Sequence, residues 1–566
     1  MTDRRGDEGF SVAPQRIGGG GGGGRGPLRG RPLKAILVLV ACLSVIGVAG
    51  LGPRLSGKPN FDIAFFATPV PSATPTPSET PRPAYLGPTP LPEITRTDGG
   101  ALSGRVAVWA DGFRVLDLGA GTVSSVVYTD FSRDVVIPAR DGDGWWCVCM
   151  QDLGGDESTG VTRAVQLLRL GTDGTTSAAR TITTLGDAKN PAASRAIQTD
   201  IDLAPDGLSG LLAVGRQTAT SWEYSVARLD LVNATIGPWT AVGRQMAPPV
   251  PEPAPTPNPD NPGTYVNAAG PYVRLSPDGS HAVIWSQIQQ IVNDTVTFTE
   301  NLGWRIPVDA AGNPGEPAPA AAFARFPDWC PFTAFVRDDR LVATCPVFPV
   351  EGSSDQPTLR LFDVGADGSV ARQVDIPQPE GYFSQPLIDT ANGVVWLWDA
   401  SNLTLTRVDT SDFTLTSATF DPLVERTPGV AAFRDAPRVW ASAGSAVNMF
   451  GPNQMTGSSD GRRLYLLGYE HQPQSGRDSP GSLGVFVVDP SSLELVDRWA
   501  PAAYYSSIES VLDGNVVAVG GQGGLDAEGR SAPWVGSMTF HDAADGRILL
   551  RFGQVGDGFP PMVLAP

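Results

Sequence analysis

Val273–Trp285, VRLSPDGSHAVIW, reads as an extended run, a Ser-Pro-Asp-Gly turn and a second extended run. Proline at the turn's second position and glycine at its end suit a type I turn that reverses the chain. The β-branched and aromatic residues on either side suit paired strands. The same figure recurs at Ile201–Val214, IDLAPDGLSGLLAV, and more loosely at Met455–Leu467, MTGSSDGRRLYLL, and Val511–Val519, VLDGNVVAV. Hairpins recurring in this way make most of the chain one repeat array rather than a string of unrelated domains.

From about Leu102 short β-rich runs alternate with turns, and no convincing amphipathic helix interrupts them. Four-strand units are plainest at 383–389, 393–398, 402–408 and 413–419, and again at 504–511, 515–520, 536–541 and 547–552. Units starting near 132, 198, 271, 330, 383, 447 and 504 account for seven. The segment 104–128 supplies three further strands, and the C-terminal PPMVLAP is the expected source of its missing inner strand. Closing a ring with both chain ends removes two sheet edges that would otherwise invite aggregation. The expected fold is therefore all-β, a β-propeller of eight four-stranded blades. Seven is the alternative count, because residues 421–446 fit no blade well.

RLSPDGSHAVIW resembles the repeat of TolB-like and WD40-like propellers. Phe486–Trp499, FVVDPSSLELVDRW, is similar to the YVTN-type repeat, in which a strand ends in Val-Asp and a turn leads into the outer strand. Each resemblance covers a single blade. Both imply the fold and leave function open, since propellers host enzymes, scaffolds and receptors alike.

The segment before the array has a different character. Residues 1–33 form a Gly/Arg-rich tail that cannot bury a core. Ala35–Leu51, AILVLVACLSVIGVAGL, holds no charge across 17 residues, the lower limit for crossing a bilayer core. Arg4, Arg5, Arg16, Arg25, Arg29, Arg31 and Lys34 precede it, against Arg54 and Lys58 after it. That bias predicts a single-pass anchor over 34–52 with the N-terminus cytoplasmic and the propeller extracytoplasmic. A lipoprotein-type box ending at Cys42 and a cleavage site after Ala49 are the alternatives, and both leave the body outside the cytoplasm. Residues 53–100 read as a linker, and its Pro/Thr-rich part, 67–92, reads as a semi-rigid stalk. The propeller is then 101–566.

Residues 59–566 hold 32 basic and 56 acidic groups, within a chain of net charge −18. Such a body repels phosphate backbones, which argues against nucleic acid as a partner.

Catalytic chemistry is thinly represented. The three histidines, His281, His471 and His541, fall in three different blades. Gly457-Ser458-Ser459-Asp460-Gly461 matches GxSxG in form, but that motif needs a strand-to-helix elbow and here it occupies a repeat hairpin. Asp-Gly occurs twelve times, including Asp141-Gly142-Asp143-Gly144. Turn chemistry explains these dipeptides better than calcium, since no EF-hand spacing follows. No catalytic, metal-binding or cofactor-binding set is assigned. An enzyme of lactonase or hydrolase type would need side chains converging on the central channel, for which Asp200, Asp202, Asp389 and Glu509 are the candidates.

Cys330 and Cys345 flank a short hairpin, and a disulfide there closes a loop that stabilises by about 3 kcal/mol in the chain-entropy model. Cys147 and Cys149 lie two apart on one face of a strand, where α-carbons are about 6.8 Å apart and a bridge needs a local kink. Asn233, Asn293 and Asn402 head glycosylation sequons.

In a blade, the A–B and C–D turns share one end and the B–C and D–A connections the other. The tight Asp-Gly and Asn-Gly turns map to the first end. The long segments 152–163, 346–357, 470–483, 521–535 and 243–270 map to the second. Long loops on a rigid scaffold often carry binding residues. The expected role is a binding or scaffold module that takes a protein or polymer partner on the B–C/D–A end, with Asp156, Glu157, His471, Arg477, Asp526 and Arg530 within reach. A purely structural cell-envelope role is the other alternative.

Overall fold

Strands that pack on both faces read as unbroken apolar runs, and strands at an edge do not. Val394–Asp399, VVWLWD, is buried throughout, whereas Thr414–Thr419, TLTSAT, two strands further out in the same sheet, is exposed almost throughout. The computed structural model builds this contrast into eight radial sheets. It describes residues between Ile94 and Leu564. Residues 1–93, 565–566 and connecting segments, the longest being 125–134, 187–195, 249–263, 348–356, 378–385, 423–439, 443–453, 470–481 and 523–534, lie outside the described residues. The span 35–51 is among them, and no helix of the described residues is long and apolar enough to cross a membrane.

The chain forms an eight-bladed β-propeller. Strands are lettered A to D from the inside of each blade outward. Blade 1 is Met562–Leu564, Arg105–Trp109, Phe113–Asp117 and Thr122–Val123. Blade 2 is Val135–Pro138, Gly144–Gly154, Thr162–Gly171 and Arg180–Gly186. Blade 3 is Ala196–Leu203, Ser209–Gln217 and Ser221–Asp230, with Thr235–Ile236 and Thr240–Met246 both pairing outside strand C. Blade 4 is Thr264–Leu275, His281–Val292, Thr295–Pro307 and Ala318–Pro319. Blade 5 is Phe332–Arg337, Arg340–Val347, Thr358–Gly365 and Val370–Pro377. Blade 6 is Leu387–Asp389, Val394–Asp399, Thr404–Asp409 and Thr414–Thr419. Blade 7 is Met455–Gly457, Leu464–Tyr469, Ser482–Asp489 and Glu494–Trp499. Blade 8 is Tyr504–Val511, Val516–Gln522, Val535–Asp542 and Ile548–Asp557.

Ring closure follows the sequence expectation. Met562–Leu564 pairs with strand B of blade 1 from Trp109↔Met562 to Ala107↔Leu564. A second lock was hidden in the stretch read as linker. Ile94–Arg96 pairs antiparallel with strand D of blade 8, Ile94 opposite Phe552. The Arg96 guanidinium then donates to the carbonyls of Leu118 and Gly119 in blade 1. The poorly fitting region also resolves in part: Trp440–Ser442 is an extra strand on the inner edge of blade 6.

The core is distributed, with an apolar cluster between each adjacent pair of blades. Val106, Val108, Leu116 and Leu118 of blade 1 meet Val516, Ala518, Phe540 and Phe552 of blade 8, so the closing seam is packed like the others. Trp398 of blade 6 illustrates the polar side of this packing: its indole N–H donates to the Leu467 carbonyl of blade 7 at 2.6 Å, the partner a buried Trp needs.

Both cysteine pairs are disulfides. Cys330–Cys345 joins the segment before strand A of blade 5 to its strand B. Cys147–Cys149 closes within strand B of blade 2, its α-carbons drawn in to 5.7 Å. The local kink expected there does not break the ladder, since Cys147, Val148 and Cys149 keep successive partners Leu168, Leu167 and Gln166.

Candidate functional site

The repeat turns use their polar side chains on themselves. In Ser276-Pro277-Asp278-Gly279, the Gly279 N–H donates to the Ser276 carbonyl at 2.8 Å. The Ser276 hydroxyl donates to Asp278 at 2.7 Å and accepts from the His281 N–H at 3.1 Å. These bonds, the Ser276 hydroxyl first and the Ser280 N–H next, hold the Asp278 carboxyl below its ordinary range. Ser458 repeats the arrangement: its hydroxyl donates to Asp460 at 2.6 Å and accepts from the Arg463 N–H at 2.9 Å. The GxSxG match, whose serine is Ser459, is therefore a hairpin turn between two strands, built on the bonds of its neighbour Ser458.

A second turn, not recognised in the sequence beyond one blade, also recurs. A strand-ending Asp accepts N–H bonds from the next residues, and the fifth residue takes a left-handed conformation. Asp409 and Asp489 begin two such turns, with Ser411 N–H to Asp409 at 2.9 Å and Ser491 N–H to Asp489 at 2.7 Å. Phe413 and Leu493 occupy the fifth positions at φ 62° and 59°, and both side chains are buried. Asn233 and Asn402 sit in turns of this class, their amide groups donating to Asp230 at 3.1 Å and Asp399 at 2.7 Å. The two sequons thus double as turn chemistry; Asn293 lies outside the described residues.

The two described histidines are packed. His541 stacks on Trp499 with its Nδ1 2.9 Å from the Gly546 carbonyl, and burial pushes its pKa down to about 4. It is neutral at physiological pH. His281 sits edge-on to Phe335, and burial, then Arg305, lower its pKa. His471 lies outside the described residues.

On the inner wall the carboxylates named from sequence are engaged in holding strands. Ala196–Leu203 turns Ile197 and Ile201 toward blade 2 and Gln198, Asp200 and Asp202 toward blade 4. Asp200 accepts from the Val273 N–H at 2.8 Å and from Arg274 Nη1 at 2.9 Å. Asp202 accepts from the Leu275 N–H at 2.7 Å. Arg274 Nε reaches on to the Thr333 carbonyl of blade 5 at 3.0 Å. Blades 3, 4 and 5 are thereby stitched at their inner edges, where strand A has no further strand to satisfy its N–H groups. Burial raises the Asp202 pKa to about 6 against the opposing pull of Arg274. Asp389 caps the Asn392 turn at 3.1 Å, and Glu509 accepts from Thr456 of blade 7 at 3.0 Å. Among the described residues, no three His, Cys, Asp or Glu side chains converge as a metal's ligand set.

The two ends of the ring differ. The A–B and C–D connections are mostly turns of the two kinds above; the longest described one, 308–317 in blade 4, folds back on itself through Asp309, which accepts from the Asn313 N–H at 2.8 Å. The segments around 155–159, 348–356, 470–481 and 523–534 all join strands B and C, and 249–263 joins blade 3 to blade 4, so all five belong to the other end. Asp156, Glu157, His471, Arg477, Asp526 and Arg530 lie in these segments, outside the described residues.

Sequence reasoning missed a projecting ribbon at that end. Strands A to C of blade 4 run for 12, 12 and 13 residues, against 6 each for strands B and C of blade 6. Buried Gln245 of blade 3 fastens the ribbon's base. It accepts from Tyr224 at 3.1 Å and Ser286 at 3.0 Å and donates to the Glu300 carbonyl at 2.9 Å. Leu153, Met246, Val296 and Phe298 are exposed at this same end.

No protein-family model and no curated protein matches the chain. The solved structures that match the chain are distant from it in sequence. Citrobacter koseri AztD is 9% identical over 81% of this chain and 97% of its own, with a TM-score of 0.33. A Lactobacillus plantarum protein is 13% identical over 71% of this chain and 95% of its own, at 0.30. The WD40 domain of fission-yeast SCAP is 9% identical over 71% of this chain and 86% of its own, at 0.29. At these values they carry no argument about what the chain does.

Proposed function

We propose that this chain is a membrane-anchored, extracytoplasmic propeller that binds a protein or polymer partner on the B–C/D–A end of its ring. The observation that carries the reading is the division of the connections. One end is mostly turns that satisfy their own polar groups, and the other takes the long connections and the extended strands of blade 4. Val296 and Phe298, two exposed apolar side chains on one strand of that ribbon, add a small apolar surface at this end. The anchor is inferred from Ala35–Leu51, and the oxidised cysteine pairs suit an oxidising compartment.

Cross-linking on intact cells tests the reading. Wild-type protein should capture a partner that is lost when 470–483 and 521–535 are shortened or Phe298 is changed to Asp, with the melting temperature nearly unchanged. A partner lost on changing Asp278, at the opposite end, would move the site. Protease added to intact cells should release the propeller at the stalk; a body digested only after lysis would reverse the topology.

A further inference from the structure

The outermost strand of every blade has one edge with no strand beyond it, and proteins blunt such edges with charges, proline, bulges, shortness or a covering segment. Among the described residues, the outer strands of blades 1 and 4 are two residues long. Those of blades 2, 3, 5 and 7 carry Arg180, Arg244, Arg372 with Asp375, and Glu494 with Asp497 and Arg498. Each of these four also pairs inward through a register shift. Blade 8 is covered by Ile94–Arg96.

Blade 6 is the exception. Its strand D, Thr414–Thr419, has no charge and no proline. It pairs with strand C from Asp409↔Thr414 to Thr404↔Thr419 without a shift, and among the described residues no strand lies beyond it. Leu415 on it is 37% exposed.

We propose that this strand is a homodimer interface, in which a second copy's Thr414–Thr419 adds antiparallel about a two-fold axis and joins two blades into one sheet. A two-fold axis perpendicular to a sheet pairs residues of like parity. Centred on Thr416, it sets Thr416 against Thr416, Leu415 against Ser417 and Thr414 against Ala418, with no like charges opposed. Hydroxyl pairs of this kind already work within the blade, Thr404 to Thr419 and Thr406 to Ser417, each at 2.9 Å.

An arginine reaches the backbone beside the acid at each end of the strand, on a body that is otherwise strongly acidic. Arg372 donates to the Ser411 carbonyl beside Asp412 at 2.6 Å, and Arg498 donates to the Pro422 carbonyl beside Asp421. An antiparallel partner brings the first end of one copy against the second end of the other. A self-pairing strand also closes both open edges in one step, whereas a foreign strand contributes an edge of its own.

Sedimentation of the full-length protein in detergent micelles tests this, with Thr416→Lys and Thr416→Asp as probes. Wild type should sediment as a dimer, each variant alone as a monomer, and an equimolar mixture of the two as a dimer again, Lys opposite Asp. Thr416 is exposed, so the melting curves should match wild type, and Thr414→Lys replaces either variant that does not. A wild-type monomer at every concentration overturns the proposal. So does a dimer indifferent to the substitutions, which would place association elsewhere, for example at 35–51. A mixture that stays monomeric overturns the two-fold pairing.

Discussion

Arg274 of blade 4 and Asp200 of blade 3 meet at 2.9 Å on the inner wall of the ring, and the same guanidinium donates to the Thr333 carbonyl of blade 5 at 3.0 Å. One side chain thus ties three blades. The geometry suits arginine, whose planar fork presents several donors at fixed angles. Its side chain is 4% exposed and that of Asp200 13%, so the pair is shielded from solvent and breaking it leaves an uncompensated carboxylate.

Arg274→Met should therefore cost about 3–5 kcal/mol of unfolding free energy, the range for removing one partner of a buried pair. Arg274→Lys should recover little of it, because one ammonium group cannot hold both Asp200 and Thr333. Asp200→Asn combined with Arg274→Met should be milder than the sum of the two. Denaturant midpoints of wild type, Arg274→Met, Arg274→Lys, Asp200→Asn and the double variant measure this, and simple additivity would show that the two residues act independently.

Asp202 makes the ring's stability depend on pH. Burial raises its pKa from 3.8 to about 6, so between those values the folded chain holds a proton that the unfolded chain has released. Stability then falls as pH rises through that window, by at most about 3 kcal/mol. The groups facing it are Asp200 and Arg274. Asp202→Asn keeps an acceptor for the Leu275 N–H and removes the proton. Melting curves from pH 4 to 7 should decline for wild type and lose that decline in the variant; an equal decline in both would assign it to another group.

The propeller was legible because its hairpins announce themselves: Pro277-Asp278-Gly279 cannot continue a strand, and VVWLWD cannot sit at a surface. What could not be read is the pairing of residues far apart in sequence. Asp200 finds its partners at Val273 and Arg274, and no local pattern predicts which backbone N–H a carboxylate will cap. A signal was present in the alternation of Ala196–Leu203, which puts three polar side chains on one face of a strand expected to lie inside. Ile94–Arg96 was missed for a different reason. Three residues following a proline-rich stretch carry too little periodicity to register as a strand until the edge of blade 8 supplies a partner.

The two chain ends should contribute unequally to the ring. Deleting 560–566 removes strand A of blade 1 and exposes an inner edge, so unfolding should lose cooperativity or the protein should aggregate. Deleting 1–97 takes from the ring an outer covering strand, the Arg96 contacts and the Thr97 bonds to blade 8. It should lower the melting temperature while keeping one transition, whereas deletion of 1–90 should leave the curve unchanged. Calorimetry on the three truncations decides it; an unchanged curve after loss of 560–566 would rule out closure by the C-terminus.

Leu493 allows a sharper test, because two energies oppose each other at one residue. Its backbone has φ 59°, a conformation that costs a residue with a Cβ roughly 1–2 kcal/mol. Its side chain is 9% exposed and packs with Leu403, Phe486 and Leu495 at the blade 6–7 seam, and truncating a buried leucine costs about 2–5 kcal/mol. Burial outweighs the backbone cost, which is why leucine stands where Gly546 stands in the equivalent turn of blade 8, its N–H bonded to the Asp542 carbonyl as that of Leu493 is to Asp489. Leu493→Ala loses the packing and keeps the unfavourable backbone. Leu493→Gly loses the packing and relieves it. Glycine should therefore be the less damaging of the two by about 1 kcal/mol, the reverse of the order found at ordinary strand or helix positions. Urea midpoints for the two variants measure the difference directly, and a more stable Leu493→Ala protein would show that the turn relaxes out of the left-handed region once the side chain is gone.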